Sequence, residues 1–117
     1  MSLPTVEFYG LSVTRLILGA NPFGGFSHQS EQRDKEMVAY YSQKRILETW
    51  ERAEMAGINT FITNNETPHV VQAVREYVEA GGALQWIAQI ACREHSDMFE
   101  AIDEVVEEGN VRTYDMM

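Results

Sequence analysis

The feature that most constrains this chain is a repeated grammar: a short apolar run, a polar loop, then an amphipathic helix closed by glycine. The runs are Leu16-Ile17-Leu18-Gly19-Ala20, Asn59-Thr60-Phe61-Ile62-Thr63 and Leu84-Gln85-Trp86-Ile87-Ala88-Gln89-Ile90, with a weaker one from Val111 to Tyr114. Nearly continuous apolar runs suit parallel strands buried on both faces. Between them, apolar residues recur at three- and four-residue spacing, the period of a helix with one buried stripe. The first helix carries Ile46, Leu47, Trp50 and Ala53 and ends before Gly57. The second carries Val70, Val71, Val74 and Val78, with Thr67 as N-cap, Pro68 at its first position and Gly81-Gly82 at its end. The third carries Phe99, Ile102, Val105 and Val106, between Ser96 as N-cap and Gly109. Strand–helix alternation of this kind predicts an α/β protein with a parallel sheet.

The units begin near residues 15, 59, 84 and 111, and residues 5–14 read as a small hairpin turning at Gly10. A length of 117 residues is that of a single domain, spanning 1–117. Residues 21–43 form a long connection between the first strand and the first helix, and Ser30 to Tyr41 is charged enough to be a short extra helix. Connections of this length are uncommon unless functional or mobile.

Charge narrows the partners. Eighteen acidic residues against nine Lys and Arg give a net charge of −9. Such a surface lacks the basic footprint of nucleic-acid binding and the attraction to anionic lipid that membrane attachment needs. No apolar run approaches the ~20 residues of a membrane span. Met1-Ser2-Leu3-Pro4 has neither the basic nor the apolar region of a signal peptide. The single cysteine, Cys92, cannot form an internal disulfide. These features lead us to expect a cytoplasmic protein with no nucleic-acid or membrane partner.

The hairpin, then GLSVTRLILGANPFGG (residues 10–25), then a helix ending AEMAGINTFITN (residues 53–64), resembles the opening of the aldo/keto reductases. The likeness covers residues 6–64 and continues by element order to about 108. That family is a (β/α)8 barrel whose hairpin plugs the barrel bottom. The resemblance therefore implies the N-terminal part of a TIM barrel with an N-terminal β-hairpin. A whole barrel needs about 250 residues, so this chain would supply its first three to four units. The rival reading is a small self-contained α/β domain. As a half barrel, its first and fourth strands would be open edges, and self-association through them is expected.

The resemblance does not extend to the family's catalytic tetrad. Its Asp belongs where Ile62 stands in Gly57-Ile58-Asn59-Thr60-Phe61-Ile62-Thr63-Asn64. Its Tyr has no counterpart in Asn65-Glu66-Thr67-Pro68, its Lys position falls in Ile87-Ala88-Gln89-Ile90, and no His follows Val111. Carbonyl reduction by NADPH needs a proton donor, usually a Tyr with a lowered pKa, and isoleucine cannot act as one. Fold and activity are thus separate expectations: the frame is expected, the reductase reaction is not, and no cofactor is assigned.

In a barrel, working residues sit on loops after the carboxyl ends of strands. All three histidines map there: His28, His69 and His95. Glu66, Glu94, Asn21, Asn64, Asn65, Gln89, Cys92 and Arg93 share that predicted face. From these we expect a binding site for a small polar molecule, a sugar or an anion, lined by Asn21, His28, Asn64, Glu66, His69 and Gln89. The histidines form neither H-x-H nor H-E-x-x-H, so no metal site is assigned. Competing readings are a non-catalytic barrel for binding or assembly, and a metal-dependent barrel of the isomerase or hydrolase type. Trp50, Trp86, Phe61 and the valine stripe read as core.

Overall fold

The computed structural model describes residues 2–65, 67–90 and 111–115, with residues 90 and 111–115 described by their backbone. In chain order the elements are β1 (Thr5–Phe8), β2 (Leu11–Thr14), α1 (Asn21–Gly24), α2 (Glu31–Tyr40), α3 (Gln43–Met55), β3 (Thr60–Asn64), α4 (Pro68–Glu79), β4 (Gln85–Ile90) and β5 (Val111–Asp115). The α/β class and the parallel sheet stand as expected. β3, β4 and β5 are parallel and adjacent in that order. Leu18 adds a parallel bridge to Phe61 on the far side of β3.

The first strand is much shorter than residues 16–20. Leu18 donates to the Thr60 carbonyl at 3.3 Å, and Ile62 donates to the Leu18 carbonyl at 2.9 Å. The next rung toward the N-terminus would use the Leu16 carbonyl. That carbonyl instead accepts the Thr14 hydroxyl at 2.7 Å. Leu16 is left 60% and Ile17 39% exposed. On the other side the run is cut short by α1, which has proline in its first turn and ends at Gly25 with φ 81°. A one-turn helix and α2 therefore occupy what the sequence presents as a long connection. Ser30 caps α2 by accepting the Arg33 N–H, and Ser42 caps α3 through Arg45 N–H.

α3 buries Ile46, Trp50 and Ala53, and α4 buries Val70, Ala73, Val74 and Tyr77, the i, i+4, i+7 spacing of one helical face. Both stripes enter one cluster with Phe61, Leu84, Trp86 and Ala88. Phe61 and Trp86 are register partners, as are Thr63 and Ala88, so these four share the helix-covered face of the sheet. Trp50 lies 4.7 Å from Phe61 and 5.4 Å from Tyr77, ring centre to ring centre. Trp86 Nε1 donates to Thr63 Oγ1 at 2.9 Å, so the strand pair carries its own buried polar tie. Two successive crossover helices thus lie on the same side of a sheet whose strands run in sequence order.

The hairpin closes the opposite end. Tyr9 and Gly10 hold φ of 49° and 80°, the left-handed backbone that a two-residue hairpin turn of the right twist requires at both positions. Asn59, just before β3, ties the hairpin down. Its Oδ1 accepts Thr14 N–H at 2.9 Å, its Nδ2 donates to Ser12 O at 3.0 Å, and its own N–H donates to Thr14 Oγ1 at 3.2 Å. Gln85 Nε2, at the start of β4, donates to the same Ser12 carbonyl at 2.9 Å. The amino ends of two parallel strands are stoppered by β2, which leaves their carboxyl ends as the open rim.

Near that stoppered end Tyr77 links α4 to the start of β4. Its hydroxyl donates to the Glu54 carboxylate, which also takes the Ala83 N–H, and the phenol oxygen accepts Leu84 N–H at 2.9 Å. A Cβ at Gly82 would fall on the Tyr77 ring, so glycine there is a packing requirement. Burial, then the hydrogen bond to Glu54, raises the phenol well above its ordinary pKa of 10.0. The unfolded chain therefore ionises first as pH rises. This contribution to stability is complete below pH 10 and is lost progressively above it. Urea unfolding followed from pH 8 to pH 11 should show that decline, and Tyr77→Phe should lack it. An equal alkaline decline in the variant would show that Tyr77 is not the group whose ionisation destabilises the fold.

The predicted helix from Ser96 to Gly109, together with Cys92, Arg93, Glu94 and His95, lies outside the described residues. So does Glu66.

Candidate functional site

The open rim carries a cavity of about 490 Å³, built where the chain leaves Leu18, β3 and β4. Leu18, Gly19 and Ala20 lead into it, Asn21 and Pro22 open α1 beside it, and Ile62, Thr63 and Asn64 finish β3 along its floor. Gln89 comes from β4, Val70 from the first turn of α4, and Phe26 from the segment after α1. Asn64 and Gln89 are register partners, which sets their carboxamides side by side on adjacent strands. Gly24 lets Phe26 fold in, because a Cβ there would sit 2.8 Å from the ring.

Three of the expected residues, Asn21, Asn64 and Gln89, are therefore brought to one cavity. Asn64 also serves the backbone: its Oδ1 accepts Thr67 N–H at 3.0 Å and so caps the entry to α4. Thr67, expected to cap α4 itself, holds the N-cap position without a side-chain bond. The carboxamide two residues beyond Ile62 has taken over its task.

The histidines part company. His28 lines an adjoining cleft of about 420 Å³, whose wall of Asn21, Pro22 and Phe26 is shared with the first cavity. Its Nε2 lies 3.4 Å from Asn21 Nδ2. His28 holds a left-handed backbone, φ 59°, which a non-glycine residue adopts only when its surroundings enforce it. The enforcement is visible. Ser27 N–H donates to Asp34 Oδ1 at 2.7 Å, pinning the segment to α2. The Ser27 hydroxyl and N–H together hold the Asp34 carboxyl below its ordinary range. His69, by contrast, lines neither cavity: its Nε2 meets the Phe23 carbonyl at 2.7 Å, and its own carbonyl accepts Gln43 Nε2 at 2.6 Å. It joins α4 to α1 and α3.

Sequence reasoning missed Thr63, Phe26, Ile62, Val70 and Arg33 as lining residues. Thr63 and Ile62 could have been found, since they are the last residues of a strand before the rim. Phe26 and Val70 arrive through packing that no local pattern encodes.

Among the described residues, every one that lines this cavity is uncharged. Three carboxamides offer donors and acceptors together, against apolar walls of Leu18, Phe26, Ile62 and Val70, while the Thr63 hydroxyl is taken up by Trp86 Nε1 and the Asn64 carbonyl. Such a lining can hold hydroxyl or amide groups in a fixed orientation. Among the described residues, no three His, Cys, Asp or Glu side chains converge as metal ligands would. None of the helices there is long and apolar enough to cross a membrane.

Comparison with protein-family models, with curated proteins and with solved structures finds no match. The class that the described geometry defines is accordingly broad: an α/β protein with a parallel sheet, helices on one face, and a neutral cavity at the carboxyl ends of its strands.

Proposed function

We propose that the chain is the N-terminal part of a (β/α)8 barrel with an aldo/keto reductase-like frame, and that it binds a small, neutral, polyhydroxylated molecule at the strand ends. Three arrangements support the barrel. Strands in sequence order and successive helices on one face are what a barrel requires, and a hairpin across the amino ends fits the aldo/keto reductase resemblance. A doubly wound sheet would reverse its strand order and send helices to the other face.

The observation that carries the ligand reading is the pairing of Asn64 with Gln89 beside Asn21 in a cavity whose described lining residues are all uncharged. A carboxamide both donates to and accepts from a sugar hydroxyl, and parallel-sheet proteins use this end of the sheet for ligands. The tetrad of the reductases has no place here. Ile62, at the position of the family's Asp, lines the same cavity and can neither donate nor take a proton. The function is therefore recognition of the molecule, with any chemistry on it supplied by groups outside this set.

Calorimetric titration with a panel of hexoses, pentoses and linear polyols tests the reading. At least one should bind, and the double variant Asn64→Ala, Gln89→Ala should lose about 10- to 100-fold in affinity. That is the loss of two neutral hydrogen bonds at ~0.5–1.5 kcal/mol each, with one paired group left dry. NADPH should not be consumed with any aldehyde added. Unchanged affinity in the double variant would overturn the site, and aldehyde-dependent oxidation of NADPH would overturn the missing tetrad.

A further inference from the structure

Phe26 is 41% exposed, whereas Phe23 and Phe61 are buried in the core cluster. An exposed ring is ordinary on a protein surface. This one, however, is held in place in the wall of the neutral cavity. Asn21 O accepts both the Gly25 N–H and the Phe26 N–H, the latter at 2.9 Å. The next residue is tied to α2, with Ser27 N–H donating to Asp34 Oδ1 at 2.7 Å. The ring lies against Gly24, and no Cβ fits between them. An aromatic ring is thus fixed at the one space that Asn21, Asn64 and Gln89 also line. Resting on the reading of that cavity given above, we propose that its ligand is a sugar in the closed pyranose form, with a C–H face on Phe26 and hydroxyls on Asn64 and Gln89.

A pyranose is amphipathic by construction. Its hydroxyls project mainly around the edge of the ring, and its axial C–H groups leave the faces apolar. The face of an aromatic ring bears partial negative charge that attracts polarised C–H groups, and covering it removes apolar surface from water. Carboxamides lining the same space answer the hydroxyls at the edge, each as donor and acceptor. At about 490 Å³ the cavity falls in the lower half of the range that small-molecule sites occupy, which suits a single sugar ring. A linear alditol has the same hydroxyls and no apolar face. It also loses more rotor freedom when it is ordered. The two disadvantages separate at Phe26, because only the first depends on that ring. Lying outside the core cluster, Phe26 can be replaced without removing a buried contact of the fold.

Calorimetry on the full chain pairs the methyl pyranosides of D-glucose, D-galactose and D-mannose with D-glucitol, galactitol and D-mannitol. At least one pyranoside should bind about tenfold more tightly than its alditol. Phe26→Leu keeps an apolar side chain and removes the flat ring; it should weaken that pyranoside about fivefold and the alditol less than about twofold, and Phe26→Tyr should restore the pyranoside. Magnetisation transfer from the aromatic protons of the unsubstituted chain gives a reading that needs no variant. It should be strongest to the C–H protons of one face of the sugar, and its absence would overturn the stacked ring. So would a pyranoside no tighter than its alditol, or a preference that Phe26→Leu leaves intact. In those cases a loss of affinity in the Asn64→Ala, Gln89→Ala variant would leave the neutral cavity standing. If no sugar or alditol binds, the cavity and the stacked ring fall together.

Discussion

Trp50→Ala is expected to cost about 3–5 kcal/mol of folding stability, a large share of the roughly 5–15 kcal/mol that holds a domain of this kind folded. The reason is position. Trp50 is fully buried, and its ring touches Phe23, Phe61 and Tyr77, joining α1, β3 and α4 through one side chain of α3. Truncation removes the largest apolar surface in the core and leaves a cavity walled by rigid rings that cannot collapse into it. Trp50→Phe separates size from polarity. Among the described residues the buried indole Nε1 has no hydrogen-bond partner, so losing it relieves a dry donor and offsets part of the lost packing. Phenylalanine should therefore cost less than about 2 kcal/mol. Urea unfolding monitored by circular dichroism reads both. An alanine variant within about 1 kcal/mol of the parent would mean that the aromatic cluster does not hold the sheet to its helices.

Asn59→Ala is expected to cost about 2–3 kcal/mol and to release the hairpin selectively. Asn59 supplies two side-chain bonds to β2 and accepts a third from the Thr60 hydroxyl at 2.7 Å. Alanine leaves the N–H of buried Thr14 without its acceptor and the Ser12 carbonyl with Gln85 alone. Unmade buried bonds cost more than the bond was worth. Hydrogen exchange should show amides of β1 and β2 losing protection while those of β3 and β4 keep theirs. Uniform loss across both sheets would mean that the hairpin and the parallel sheet unfold as one unit, and that Asn59 is not the specific clamp between them.

This gives the Gly57-Ile58-Asn59 motif a physical meaning. Gly57 turns the chain with φ 95°, and Asn59 stoppers the strand ends. Much of the frame was legible because it rests on local periodicity. The stripe of Ile46, Trp50 and Ala53, the start of α4 at Pro68 and the parallel order of the runs need only spacing and turn residues. The length of the first strand was not legible. It depends on the Thr14 hydroxyl capturing a carbonyl that an extended ladder would have used. α1 was hidden for a related reason: a single turn leaves no periodicity to read.

The site divides in the same way. Asn21, Asn64 and Gln89 were readable because a residue at the end of a parallel strand, or just beyond it, is placed on the rim by backbone geometry alone. His28 and His69 were not separable by sequence. Both follow strand ends, and the direction of each ring is decided by a partner far away in the chain or by a backbone bend: the Phe23 carbonyl for one, Asn21 and a positive φ for the other. A histidine on the right loop is thus a weaker pointer to a site than an amide at the right strand position.

The neutral cavity at the strand ends is the centre of this account, and the side-chain amide resonances of the chain test it most directly. During titration with the tightest-binding polyol of the panel, the NH2 signals of Asn21, Asn64 and Gln89 should move together along one saturation curve. Those of Gln43, bonded to His69 O, and Gln85, bonded to Ser12 O at the stoppered end, should stay in place. Movement of Gln85 with Asn64 and Gln89 still would put the ligand at the wrong end of the sheet and contradict the account.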